Sequence, residues 1–260
     1  MKNPRKYGKA PVTIAVIHGG PGAQGEMAPV ARELSSVWGI LEPFQTSGTI
    51  EGQIQELQTL LKEHSHPPLT LIGHSWGAWL SFIFAARYSS FVKKLILIGS
   101  GPFEEKYALG IMETRFNRLN VGERKKVQVL EEALNDHNVK DKNAILAQFR
   151  KLMLKTDSFD PLSFQSEEVE FQHDIFQSVW KEARELRRSG KLLELGKGIQ
   201  CPVVAIHGDY DPHPFEGVER PLSQIVKDFR FILLEDCGHD PWMERNAKDG
   251  FYEILKKELS

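Results

Sequence analysis

The pentapeptide Gly73-His74-Ser75-Trp76-Gly77 follows the apolar run Leu69-Thr70-Leu71-Ile72 and precedes a helix-forming stretch over 78–88. At the end of a buried strand the chain must reverse sharply into a helix, and glycines two residues to either side of Ser75 let neighbouring backbones pack against that turn. Such a turn pushes the serine hydroxyl into open space. It also sets the hydroxyl at a helix N-terminus, where unpaired N–H groups and the helix dipole favour the negative charge that develops in acyl transfer. Ser75 is therefore the candidate nucleophile. The loop His18-Gly19-Gly20-Pro21-Gly22, directly after the strand-like run at 12–17, has few side chains. Its use would be to bring a backbone N–H, that of Gly20, to a substrate oxygen, with the Trp76 N–H as the second donor of an oxyanion hole. A nucleotide-binding glycine loop is the rival reading, and it is disfavoured.

Two later segments carry the acid and base that such a nucleophile needs. Asp211 lies in His207-Gly208-Asp209-Tyr210-Asp211-Pro212 and His239 in Cys237-Gly238-His239-Asp240-Pro241, each after an apolar run, at 203–206 and 231–234. A serine hydroxyl is a weak nucleophile until an imidazole takes its proton, and a carboxylate orients that imidazole and stabilises its cation. In a parallel sheet the carboxyl ends of the strands share one edge, so Ser75, Asp211 and His239 can converge despite their separation in sequence. Asp209 competes with Asp211 for the place of the acid. His18 and His74 are expected to shape their turns through hydrogen bonds. His207, His213, Asp209 and Asp240 show no metal-ligand spacing, so neither a metal nor another cofactor is expected.

Placing these residues requires strands that end at one rim. Strand-like runs fall near 12–17, 37–42, 69–73, 93–99, 203–207 and 229–234, and helix-like ones at 52–62, 76–88, 222–227 and 245–259. This alternation predicts an α/β fold with a mostly parallel six-stranded sheet flanked by helices. With so few residues before the first strand, antiparallel edge strands are expected to be missing. Residues 101–198 break the alternation: they lack β-branched runs and are rich in Glu, Lys, Arg, Gln and Leu. They predict a helical insertion, entered at Gly101-Pro102 and left at Gly196-Lys197-Gly198. The expected organisation is a core made of 1–100 and 199–260, with 101–198 as a cap over the edge that carries Ser75. Aromatic residues of this insertion, such as Phe103, Phe164, Phe171 and Trp180, are expected mostly to form its own core, and Trp79 to be packed rather than substrate-facing.

The chain order nucleophile, acid, histidine, with a GxSxG turn and an upstream HGG loop, resembles the α/β-hydrolase superfamily over nearly the whole chain. HGGPG together with Ser75-Trp76-Gly77 is most similar to the proline iminopeptidase branch of serine peptidases. The resemblance implies Ser75 as nucleophile, Asp211 as acid at GxxD spacing from Gly208, His239 as base, and Gly20 and Trp76 as oxyanion donors. Where that branch usually carries DQRGxGxS, this chain has Glu42-Pro43-Phe44-Gln45-Thr46-Ser47-Gly48, without the arginine and the first aspartate. Those enzymes also hold a substrate's free amine with cap glutamates. Glu104, Glu105, Glu168 and Glu170 are available here, and no motif selects among them. The leading expectation is a serine hydrolase that cleaves an ester or amide of a small molecule or short peptide through an acyl-enzyme. A proline iminopeptidase-like aminopeptidase and a non-catalytic hydrolase-fold receptor are the alternatives. A serine at this position argues against halide- or epoxide-opening relatives, which rely on an aspartate nucleophile.

Composition narrows the partners. The 260 residues are 41% hydrophobic, enough for one large α/β domain with an insertion. With 33 basic and 35 acidic side chains the formal net charge is −2, so no global field draws nucleic acid. Arg124-Lys125-Lys126 and Arg187-Arg188 read as solvated helix faces. No apolar run reaches the roughly 18 residues of a membrane helix, and residues 1–7 lack a signal peptide's apolar stretch, so a cytoplasmic protein with no membrane partner is expected. Cys201 opens one strand and Cys237 lies beyond the end of the next, roughly 16 Å away along the strand direction. A disulfide needs Cα atoms within about 7 Å, so both are expected as free thiols. The oligomeric state is left open.

Overall fold

The computed structural model describes residues 2–162 and 169–260. One sheet contains β1 (Arg5–Tyr7), β2 (Val12–Ile17), β4 (Gly39–Glu42), β5 (Leu69–His74), β6 (Val92–Ile98), β8 (Val203–Gly208) and β9 (Phe229–Leu234), in the spatial order β1-β4-β2-β5-β6-β8-β9. All pairings are parallel except that of β1 with β4. The four central strands read as continuous apolar runs because both faces are covered. Successive side chains enter opposite cores: Ala15, Ile17, Leu71, Leu97 and Ala205 pack on one side, and Ile14, Val16, Ile72, Ile98 and Ile206 on the other. Helices α2 (Ile50–His64), α3 (Trp76–Arg87) and α9 (Glu216–Ile225) cover the first side, and α1 (Ala28–Leu34) and α10 (Lys248–Leu259) the second. Helix α3 is buried continuously over 76–85, as expected of a helix enclosed on all sides.

The elements differ from the sequence expectation at their edges, each time for a local reason. The sheet has a seventh, antiparallel strand, β1, held to β4 by the Tyr7 hydroxyl, which donates to the buried Glu42 carboxylate at 2.6 Å, with Arg5 3.7 Å from the same group. Strand β4 starts at Gly39, not at residue 37, because the N–H groups of Val37 and Trp38 both turn back to the Leu34 carbonyl. Helix α2 starts earlier than the expected 52, where the Thr49 side chain caps the Gly52 N–H at 3.1 Å. Helix α9 runs through Pro221 instead of starting after it. Pro221 has no N–H for the Gly217 carbonyl, and the Phe103 N–H fills that vacancy at 2.9 Å.

Between β6 and β8 the chain forms α4 (Ile111–Asn117), α5 (Val121–Asn135), α6 (Lys142–Asp157), α7 (His173–Arg188) and α8 (Lys191–Glu194), and a two-residue strand β7 (Glu170–Phe171). Strand β7 pairs antiparallel with β3 (Ala23–Gln24), which follows the HGG loop. Leu119, Val127 and Met153 make a separate small core among α4, α5 and α6, whereas α7 inserts Val179 and Ala183 into the main one. Arg187, one turn beyond Ala183, faces inward with it and is not a solvated residue: it is buried, donates to Glu105 at 2.8 Å and lies over the Trp79 ring at 5.6 Å. Trp79 is packed, stacked on Trp180 with centroids 5.8 Å apart. Phe164 and Glu168 lie outside the described residues. Both cysteines are free, and burial pushes the Cys201 thiol up to about 11 and Cys237 further still. Among the described residues no helix is long and apolar enough to cross a membrane.

Candidate active site

Register brings the carboxyl ends of the central strands into line: Ile17 pairs with Gly73, His74 with Ile98, Ile98 with Ile206, and Gly208 with Leu234. The loops after β2, β5, β6, β8 and β9 therefore leave the sheet at one rim. Ser75 occupies the turn after β5 with φ 51° and ψ −112°, in the half of backbone space that side chains avoid. Such a conformation stores roughly 1–3 kcal/mol and persists only where the surroundings enforce it. Here the Ser75 N–H extends the sheet by donating to the Ile98 carbonyl at 2.9 Å. The flanking glycines permit the close approach: a methyl on Gly73 would strike the Gly77 backbone, and one on Gly77 the carbonyls of Ile17 and His18. The HGG loop lies against the nucleophile, since a Cβ on Gly19 would be 3.1 Å from that of Ser75. Gly20 adopts φ 41°, and the Trp76 N–H opens α3, where no intrahelical acceptor exists for it.

His239 sits over the end of β6, where a Cβ on Gly99 would lie 3.2 Å from its Nδ1. That Nδ1–H donates to Asp211 Oδ2 at 2.6 Å. The other oxygen of Asp211 accepts the His213 N–H at 2.9 Å and faces the His213 Nδ1 at 2.7 Å, while His207 Nε2 lies 3.4 Å from Oδ2. Burial alone would raise the Asp211 pKa, but the three imidazoles hold it well below the usual carboxylate range. Burial likewise opposes a charge on His239, and the Asp211 carboxylate reverses this, so its pKa is raised. His213 is pushed down to about 4, with burial outweighing the shared carboxylate. Asp209 is not part of this cluster: its carboxylate accepts the Cys237 N–H at 3.2 Å and fixes the turn before the histidine.

His74 does more than shape the turn. Its Nδ1 faces Glu26 Oε2 at 3.3 Å, and its Nε2 faces Asp240 Oδ1 at 3.0 Å and the His239 carbonyl at 3.2 Å. Acceptors on both sides require an imidazolium. Burial opposes the charge, but Asp240 and Glu26 outweigh it and hold the pKa up to about 10. Because the folded value lies above the ordinary 6.5, this stabilisation is complete below pH 6.5 and is lost as pH rises through about 10. His74→Gln is expected to lose about 3–5 kcal/mol of stability at pH 6, the usual cost of removing one partner from a buried pair. The gap from the unmodified protein should close towards pH 10 in melts across that range. A gap independent of pH would contradict the imidazolium.

The loop of His239 is fastened to the segment between β6 and β8. The His239 N–H donates to the Asp157 carbonyl at 2.8 Å, and the Asp157 carboxylate takes Arg115 Nε at 2.8 Å and Nη2 at 2.6 Å. Glu244, fully buried, accepts the N–H groups of Gly238 and Phe159 at 2.9 Å and of Asp160 at 2.8 Å. His74, His239 and Asp240, and likewise Asp211, His213 and His239, bring three potential metal-ligating atoms within 4.8 Å of one another. In the second set both imidazoles face the Asp211 carboxylate, and in the first His74 faces Asp240 at 3.0 Å while the His239 Nδ1 is taken by Asp211.

Glu26, Arg115, Arg150, His213 and Glu244 surround the candidate site, and no sequence pattern marks them. One pattern was open to misreading: Gly20-Pro21-Gly22-Ala23-Gln24-Gly25 has GxGxxG spacing. A dinucleotide fingerprint must open directly into a helix. Here the glycines lead into β3, and α1 starts only at Ala28.

A family model described as alpha/beta hydrolase fold matches residues 21–245. A proline iminopeptidase of Saccharolobus solfataricus is 22% identical over 265 residues, covering 94% of this chain and 83% of that protein. Among solved structures, VinJ matches with a TM-score of 0.71 at 18% identity over 98% of this chain and 93% of its own. The monoacylglycerol lipase of Paleococcus ferrophilus matches with a TM-score of 0.64 at 14% identity over 100% of this chain and 98% of its own. The chain belongs to the α/β-hydrolase fold family and, within it, is similar to proline iminopeptidases.

Proposed function

We propose that this protein is a serine hydrolase that cleaves an ester or amide of a small molecule or short peptide through an acyl-enzyme on Ser75. The observation that carries the proposal is the Asp211–His239 pair at the rim where Ser75 occupies its strained turn. In this reading His239 Nε2, left without a proton by the Nδ1–H to Asp211, takes the Ser75 proton as the hydroxyl attacks the carbonyl. The N–H groups of Gly20 and Trp76 receive the oxyanion. The imidazolium then protonates the leaving group, and water releases the acyl group with the same histidine as base. Residues 101–198 act as a cap whose anchorage at Asp157 and Glu244 sets the position of the histidine loop. No cofactor takes part, and neither nucleic acid nor membrane is a partner.

The aminopeptidase alternative needs a carboxylate free to hold a substrate amine. Glu105 is engaged by Arg187, Glu104 by Lys106 at 3.0 Å, and Glu170 is exposed on β7. These engagements take Glu104 and Glu105 out of that role. A fluorophosphonate probe should label the protein at Ser75, and a short-chain 4-nitrophenyl ester should be hydrolysed while proline 4-nitroanilide is not. Brisk anilide turnover would establish the aminopeptidase instead. Tight ligand binding with neither labelling nor turnover would establish a receptor.

A further inference from the structure

Arg150 is a cation that the acyl-transfer steps leave unused, although it lies on the loop they depend on. It projects from α6 to Glu26, where Nη2 donates to Oε1 at 2.7 Å. Its Cζ lies 5.4 Å from the centre of the Phe171 ring, and a Cβ on Gly20 would be 2.8 Å from its Nη1. The guanidinium is thus wedged between the HGG loop and β7, with its side chain only 22% exposed.

Most of its hydrogen-bonding capacity is unspent. Nε is buried with no acceptor among the described residues. Glu26 gives Arg150 only one oxygen, because the other faces His74. A buried donor left unpaired is costly, and native proteins rarely keep one without a water or a ligand to satisfy it. The partner that suits a half-filled guanidinium fork is a second planar, two-oxygen acceptor. The group from α6 that reaches the HGG loop is an arginine, not a glutamate.

We infer that Arg150 binds a carboxylate on the substrate, so that the esters or amides taken by this protein carry a carboxylate within a few bonds of the scissile carbonyl. The inference rests on the reading of Ser75 as an acyl-transfer nucleophile. The test uses Ser75→Ala protein and two ligands alike except in charge, mono(4-nitrophenyl) glutarate and its methyl ester. By calorimetry the acid is expected to bind about 10- to 100-fold more tightly, the range of a charge-assisted hydrogen bond. Adding Arg150→Lys keeps a cation beside Glu26 but removes the planar fork, and should bring the ratio close to one, as should Arg150→Met. The ratio is internal to each variant, so a general loss of folded protein does not imitate the effect. Equal affinities with Arg150 present, or a preference that survives both substitutions, would overturn the inference.

Turnover of the same two esters by protein with Ser75 intact separates the two ideas. Hydrolysis of both at equal kcat/KM removes the carboxylate site and leaves the hydrolase. Selective binding of the acid with hydrolysis of neither removes acyl transfer and leaves the site.

Discussion

Ser75→Ala is expected to lower kcat for a 4-nitrophenyl ester by about 10⁵-fold or more, the scale seen when a serine nucleophile working with a histidine base is deleted. The loss should not reach the uncatalysed rate. An oxyanion hole and substrate binding still supply roughly 10³–10⁴ over water when a triad member is gone, and the Gly20 and Trp76 N–H groups are backbone, untouched by the substitution. A sharper form of the expectation is non-additivity. His239→Ala should cost about as much as Ser75→Ala, and the double variant little more than either, because each group is useless without the other. Steady-state kinetics of the three variants, with melting curves to show that each is folded, make the check. Ser75→Ala retaining more than about a hundredth of the activity, or multiplicative losses in the double variant, would show that the serine and the histidine do not act as one unit.

What could be read from the sequence depended on whether the signal was local. The central strands were legible because Leu71, Leu97 and Ala205 alternate with Ile72, Ile98 and Ile206 between two covered faces, which writes itself as an unbroken apolar run. The turn at Ser75 was legible from its two glycines, whose necessity is a backbone collision a few residues away. The pairing of His239 with Asp211 rather than Asp209 was legible only through the GxxD spacing of the family the chain resembles, and the contact itself spans two loops. Arg150 and Glu26 are 124 residues apart, and His74 and Glu26 are 48 apart, so no window of sequence contains either pair. The same holds for Glu244, whose three N–H donors come from two separate segments. Strand β1 was expected to be missing because what holds it, its pairing with β4 and the reach of Arg5 and Tyr7 to the buried Glu42 of that neighbouring strand, leaves no pattern of its own in three residues.

Asp211→Asn is expected to lower kcat/KM by about 10³- to 10⁴-fold, through the wrong imidazole tautomer rather than lost geometry. The carboxylate now accepts hydrogen bonds from His239 Nδ1 and from the His213 backbone, and only acceptors can meet those donors. An asparagine side chain has one oxygen. If the His213 N–H keeps that oxygen, the amide N–H₂ faces His239, whose Nδ1 must then accept and whose proton moves to Nε2. A protonated Nε2 cannot take the Ser75 proton. Whatever activity remains should also respond differently to pH. Asp211 holds the His239 pKa above its ordinary 6.5, so the rise of kcat/KM with pH should follow a pKa above that value in the unmodified protein. The ascending limb should move to lower pH once the carboxylate is gone. Asp209→Asn keeps an oxygen for the Cys237 N–H and adds no donor near His239, so it should change kcat/KM no more than a few-fold, roughly the scale of a surface substitution. Measured pH profiles of both variants decide the matter. A larger loss at position 209 than at 211, or an ascending limb that stays in place in Asp211→Asn, would mean that this carboxylate does not govern the imidazole.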